Sequence, residues 1–263
     1  GAVTTGLSNV GVGYHAAVST TTGNLNTAVG TQALGTNIAG DRSTAIGYQA
    51  LYQATPASGN EDADNVAVGM HAGRGITTGT QNVSIGSYSM EDGNLTGDYN
   101  TQNVMLGAFA GEEVTTADYN TAIGYNAGGG ASGAASTADG NTSLGHSALE
   151  AVTTGANNTA LGKNAMLANT TGTENVAVGY QTLDANITGN RNAAVGHQAL
   201  SALNPSGDVD TYNSAFGYRS LATLTTGTVN TGVGHGTLEN ATTGYRNTAA
   251  GGASLQVLTT GYD

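Results

Sequence analysis

The chain has 263 residues, among them 42 Gly, 2 Pro, 2 Phe and no Cys or Trp, with 9% charged residues and a formal net charge of −12. Soluble domains carry about 25% charged residues, and disordered ones are usually rich in charge and Pro, so the composition points to an ordered, repetitive chain. The acid excess repels a phosphate backbone and speaks against nucleic-acid binding, while the absence of Cys excludes disulfides and thiolate-metal sites.

Read from the N-terminus, one phrase recurs: "NVGVG" at Asn9, "NTAVGTQAL" at Asn26, "STAIGYQAL" at Ser43, "NVAVG" at Asn65 and "NVSIG" at Asn82. It continues through "NTALGKNAM" at Asn158 to the last copy at Asn247. Aligned on its Gly, taken as position 0, the phrase occurs fourteen times, from Gly13 to Gly251. The interval is 17 residues, except for 22 after Gly47 and 21 after Gly86, Gly124 and Gly196. Position −4 is Asn in all copies but the third, which has Ser43, and position −1 is aliphatic or aromatic in all but the last, which has Ala250. Leu or Met fills position +4 in ten copies, and small residues, chiefly Ala, fill −2 and +3.

A 17-residue period is too short for helical-pair solenoids, which need ~33 residues or more. The spacing of two within "N-T-A-V-G" predicts a strand in every copy. The "T-T-G" turns at Gly23, Gly79, Gly155, Gly172, Gly227, Gly244 and Gly261, with "I-A-G" at Gly40, supply a flexible residue after each. Asn-Gly, the strongest hairpin signal, is absent. The expected fold is therefore all-β: a parallel β-solenoid, of β-roll or β-helix type, with about fourteen 17-residue repeats in a single array over residues 1–263. Equivalent residues of successive coils then stack ~4.8 Å apart. The Asn column is expected to form a buried amide ladder at a corner with left-handed backbone. The Gly column is expected where a corner leaves no room for Cβ.

All four insertions follow odd-numbered repeats, which raises the alternative that two repeats make one turn. Two large aliphatic side chains per coil, at −1 and +4, release roughly 4 kcal/mol on burial, far short of the ~1.5 kcal/mol per residue needed to order seventeen residues. The small-residue face is accordingly expected to pack on identical chains, most simply as a homotrimer. The array opens and closes within a turn and shows no polar caps, so a longer fibre protein is expected. No stretch approaches ~18 apolar residues and no basic-then-apolar leader is seen; membrane insertion is not expected.

The "N-T-A-x-G-x-x-A-L" phrase separated by "T-T-G-x-x-N" resembles the Gly-rich repeats of bacteriophage tail fibres. "NVSIGSYS" at Asn82 and "STAIGYQA" at Ser43 are also similar to the head repeats of trimeric autotransporter adhesins, whose unit is shorter. The resemblance implies a trimeric β-rich shaft or head in a virion tail fibre, or at an extracellular surface, that works by host attachment and adhesion. A bacterial adhesin head binding glycan or matrix is the alternative. The self-cleaving Ser-Lys domain that often ends such fibres has no match here, Lys163 being the one Lys.

Position +1 gathers the candidate receptor-binding residues Tyr14, Tyr48, Tyr125, His146, Tyr180, His197, Tyr218 and His235. Amphipathic rings in one column offer flat faces to the sugars of a surface glycan; the plainer reading is that they cover a corner and bond one another. Their His residues lie two or more coils apart, too far to share a metal. The insertions hold Pro56 and Pro205 and the acids Glu61, Asp62, Asp64, Glu91, Asp92, Asp98, Asp208 and Asp210. Clustered oxygens suit Ca²⁺, but no Ca-binding nonapeptide or EF-hand loop is present, and solvated loops are the expectation. No nucleophile, phosphate loop or regular carboxylate pair stands out, so no enzyme activity, metal or cofactor is expected; a polysaccharide-cleaving solenoid would need a carboxylate pair or a cleft.

Overall fold

The structure, a computed structural model, describes residues 5–55, 62–91, 101–129 and 134–261. The described residues contain no helix. The chain divides into two compact units, residues 1–137 and 138–263. The first contains β1 (Val10–Val12), β2 (Thr27–Val29), β3 (Thr44–Ile46), β4 (Val66–Val68), β5 (Val83–Ile85), β6 (Val104–Leu106) and β7 (Thr121–Ile123). The second contains β8 (Thr142–Leu144), β9 (Thr159–Leu161), β10 (Val176–Val178), β11 (Gly189–Asn190), β12 (Ala193–Val195), β13 (Val209–Asp210), β14 (Ser214–Phe216), β15 (Thr231–Val233) and β16 (Thr248–Ala250).

Within each unit every three-residue strand at positions −3 to −1 pairs in parallel with the same strand of the next repeat, as in Val10↔Thr27 and Thr159↔Val176. The fold is thus a parallel β-solenoid with one 17-residue repeat per turn, and the two-repeat turn is excluded. Where a repeat is longer the register jumps by the whole insertion: Thr44 pairs with Val66 and Ala193 with Ser214. In the last insertion, whose residues are described, the extra residues fall between Leu203 at +7 and Asp210 at −7. In the second unit β11 and β13 pair on either side of the last such loop. Pro56, Glu61, Asp92 and Asp98 lie outside the described residues.

The interior of the coil is where the sequence reading needs correction. Ala28, Ala45, Ala67, Ala160, Ala177 and Ala194 at position −2, and Ala33, Ala50, Ala165 and Ala199 at +3, are fully buried inside the coil, together with the Leu and Met of +4 other than Leu255 of the last coil, which is exposed. The small face therefore does not point at sister chains. Residues at −3 and −1 point outward, as the strand pleat requires, and Ile46, Ile85, Leu144, Leu161, Phe216 and Val233 are exposed. The cause is width: a 17-residue coil brings its walls so close that the inner face of the strand has room for a methyl and little more. One exception conserves volume. In the sixth coil Met105 occupies −2 and Gly111 replaces the usual Leu at +4, and a Cβ on Gly111 would come within 2.8 Å of the Met105 sulfur.

The Asn column forms the expected ladder. Each Asn Oδ1 accepts the backbone N–H of the next Asn, at 2.9 Å for Asn158 to Asn175 and for Asn175 to Asn192. Most Nδ2 groups donate to the carbonyl of the turn glycine fourteen residues on, as from Asn158 to Gly172 at 2.8 Å and from Asn175 to Gly189 at 2.9 Å, whereas Asn103 uses the Ala117 carbonyl. Ser43 keeps only part of this, its N–H donating to Asn26 Oδ1 at 2.9 Å. The left-handed residue of this corner is not the Asn but its predecessor at −5, where Arg42, Tyr212 and even β-branched Val229 have φ of 54°, 51° and 60°. Positions +2 and +4 are left-handed too, as at Gln32 and Leu34 with φ of 59° and 49°. Gly at position 0 has φ between 107° and 140°, closed to L side chains, and, except at Gly251 of the last coil, what a Cβ would strike is the carbonyl of the equivalent Gly one coil on, as at Gly30 and Gly162.

One side chain sits badly in this regular packing. At position +5, Asp184 is half-buried, one carboxylate oxygen has no hydrogen-bond partner, and desolvation pushes its carboxyl above the usual 3.8. A carboxyl raised in the fold favours its protonated form there, so its cost appears as pH rises through the ordinary value and persists at neutrality. Asp184→Asn is expected to raise stability at pH 7 by about 0.5 kcal/mol, a small figure because the group is half open to solvent, with no gain below pH 3.8. Urea unfolding of both proteins at the two pH values checks this.

Candidate binding surface

Two neighbouring positions of one corner, +1 and +2, build runs of rings in contact, most stacked and, in the first unit, His71–Tyr88 and Phe109–Tyr125 edge-on. Position +2 is the left-handed residue of a tight turn closed by the N–H of +3 on the carbonyl of the Gly, as from Ala50 to Gly47 at 3.4 Å. The turn carries +1 and +2 to the surface, and stacking of equivalent coils brings rings from successive turns into contact.

In the second unit Tyr180, His197, Tyr218 and His235, all at +1, form a run with centroid separations of 5.0, 5.3 and 5.4 Å and interplanar angles of 33°, 24° and 18°. In the first unit the run is Tyr48, His71, Tyr88, Phe109 and Tyr125, with separations of 5.4, 5.2, 5.2 and 5.6 Å. Its end members are the +1 residues read from the sequence; His71, Tyr88 and Phe109 are at +2 and were missed. The signal for them exists: where +1 is Met70, Ser87 or Ala108, the next residue supplies the ring. Tyr14 stacks on its own neighbour His15 at 3.9 Å, and His146 Nδ1 lies 3.0 Å from Ser147 Oγ.

Stacking uses the ring faces. Within the Tyr180 to His235 run the planes are turned towards each other, so edges, hydroxyls and imidazole nitrogens are what this surface offers to solvent. Tyr48, Tyr125, Tyr180 and Tyr218 are each between 40% and 48% exposed, enough for Tyr edges to reach a ligand. Polar ladders run beside them, with Gln49 donating to Gln32 at 2.8 Å and Gln198 to Gln181 at 3.1 Å. His71 Nδ1 is 2.5 Å from Glu91 Oε1, which also lies 3.4 Å from Arg74.

The acids of the insertions do not stand free where they are described. Asp64 pairs with Arg42 at 2.7 Å and Asp62 pairs with it too; the guanidinium holds Asp64 below the usual carboxylate range, and the two acids raise Arg42. Arg191 pairs with Glu174 at 2.9 Å and with Asp210, and donates to Tyr212 Oη at 2.9 Å. Asp208 accepts from Asn190 Nδ2 at 2.6 Å. These pairs join adjacent coils. Among the described residues no group of three or more His, Cys, Asp or Glu is placed to hold a metal ion, and no helix is long and apolar enough to cross a membrane. Asn186, which opens an Asn-Ile-Thr glycosylation sequon, is fully buried. No family model, curated protein or solved structure matches the chain.

Proposed function

We propose that the chain is a structural and adhesive fibre segment, a tail-fibre shaft or receptor-binding region that projects from a virion, assembles as a homotrimer and mediates host attachment without catalysis. The observation that carries this reading is the use to which each coil is put. The Asn ladder, most of the rings and the ion pairs engage the coil before or after, which ties each unit together through nearest-neighbour contacts. The ring corner is the part left to meet a receptor. Its Tyr edges and hydroxyls, next to Gln amides, suit the hydroxyls of a surface glycan. The same corner would serve a bacterial adhesin head equally well, and the placement of the rings favours that alternative only if the chain binds matrix or glycan away from a virion.

The test is binding of the fluorescent chain to a glycan array and to a panel of bacterial cells. Saturable binding to a subset is expected, and Tyr180→Ala with Tyr218→Ala should reduce it by at least about tenfold, as for removal of exposed aromatic anchors. Absence of binding by the folded chain would leave only a spacer. Release of oligosaccharide from capsule would replace adhesion with enzymology.

A further inference from the structure

The ring runs carry a second period. In the first unit Tyr48, Tyr88 and Tyr125 lie on the third, fifth and seventh coils, with His71 and Phe109 on the coils between. In the second unit Tyr180 and Tyr218 lie on the tenth and twelfth coils, with His197 and His235 on the eleventh and thirteenth. A phenol thus recurs at every second coil, although the fold repeats at every coil. Beneath the second run Leu183, Leu200, Leu221 and Leu238 are buried on successive coils, so the core there does not impose the alternation. Neighbouring ring centroids in the two runs are 5.0 to 5.6 Å apart.

A ligand that stays in step with such a row advances by one unit per coil and presents the same edge at every second unit. An extended chain of 1,4-linked β-pyranoses does both. One sugar ring with its bridging oxygen spans close to one centroid spacing, and equatorial bonds at both ends turn each sugar half a revolution from the last. Along one side of the chain the diol edge and the hydroxymethyl edge therefore alternate. Chains linked α-1,4 or β-1,3 curl, and fall out of step after a few sugars.

We propose that the ring corner of each unit binds a neutral, linear β-1,4-linked glycan laid along the solenoid axis, one sugar to a coil. This deepens the adhesive reading and rests on its claim that the ring corner meets a glycan. Tyr hydroxyls, which both donate and accept, take one edge of alternate sugars, and in the second unit the nitrogens of His197 and His235 take the other. Beside them Gln198 donates to Gln181 at 3.1 Å, a bond that uses one of the four sites each amide offers. The ring faces are turned on one another, so the contact is edge-on and polar. Charge selects a neutral chain, because the net −12 repels an anionic polymer.

The test is calorimetric titration of the full chain with cello- and chito-oligosaccharides of two to six sugars, beside malto-oligosaccharides, which join glucose through α-linkages. In at least one β-linked series the Kd should fall about tenfold or more from the disaccharide to the pentasaccharide and then level off, with the malto series about tenfold weaker at equal length. The combined variant Tyr48→Phe, Tyr125→Phe, Tyr180→Phe and Tyr218→Phe keeps the rings in contact and removes four hydroxyls, and should bind the pentasaccharide about tenfold less tightly. Length and linkage are compared on the parent chain alone, so they decide whether or not the variant folds. Affinity indifferent to length or linkage, a folded Phe variant that binds like the parent, or no binding of either β-linked series would overturn the proposal. The adhesive reading fails separately. A chain that attaches to cells or branched glycans and ignores the linear series keeps adhesion without this site, and one that binds the linear series but attaches to no cell keeps the site without host attachment.

Discussion

Gly162→Ala is expected to unfold the second unit or to cost it more than about 4 kcal/mol, the range reserved for substitutions with no room to relax. Its φ is +134°, and an added Cβ would lie 2.5 Å from the carbonyl oxygen of Gly179 and 2.7 Å from its carbon. Both atoms belong to the backbone of the next coil, so no side chain can swing aside. Relief requires lifting one coil off its neighbour, and with it the ladder bonds on either side. The comparison is Gly251→Ala in the same column, where φ is +107° and nothing lies within 4 Å. There only the backbone conformation is penalised, by about 1–2 kcal/mol. Thermal unfolding of the two variants should differ widely; equal losses would show that conformation alone, not the stacking of carbonyls, requires Gly here.

The second large effect is expected at Asn175, which is fully buried. Its Oδ1 accepts from the N–H of Asn192 at 2.9 Å and from Asn192 Nδ2 at 3.0 Å. Its Nδ2 donates to Asn158 Oδ1 at 3.1 Å and to the Gly189 carbonyl at 2.9 Å. Asn175→Ala removes one member of four hydrogen bonds and strands donors and acceptors where water does not reach. Each stranded group costs about 1–3 kcal/mol, so a loss of roughly 3–5 kcal/mol is expected after partial relaxation. Asn175→Asp should do nearly as much harm, because a carboxylate accepts the N–H of Asn192 but has nothing to donate to Gly189. Chemical denaturation reads both; a loss below 1 kcal/mol for Ala would mean that the ladder is decoration on a coil held by its backbone.

How much of this could be read from the residues depends on whether the information was local. The period, the strands and the parallel stacking follow from columns of like residues, because a column is a statement about neighbouring coils. The side on which each column lies does not follow. In "T-A-V" and "V-A-V" both faces are apolar, so the usual alternation of polar and apolar is silent. The choice is made by the separation of the walls, a property of the closed coil. The Met105 and Gly111 exchange was likewise visible only as two departures from pattern, and is explained once −2 and +4 are seen to share one space in that coil. At −5 the residues range from Arg42 to Tyr212 to Val229, with no common chemistry to advertise a left-handed corner. The ring run failed for a smaller reason: a single column was scanned, whereas the turn offers two adjacent exits for a side chain at the same height.

Register that advances by 22 residues from Thr44 to Val66, and by 21 from Ala193 to Ser214, with the strands paired as elsewhere, uncouples contour length from rise. Length added between one strand and the next leaves the pairing of the strands as it was. That stretch of the repeat is therefore where sequence can be exchanged or extended while the register of each unit stays constant.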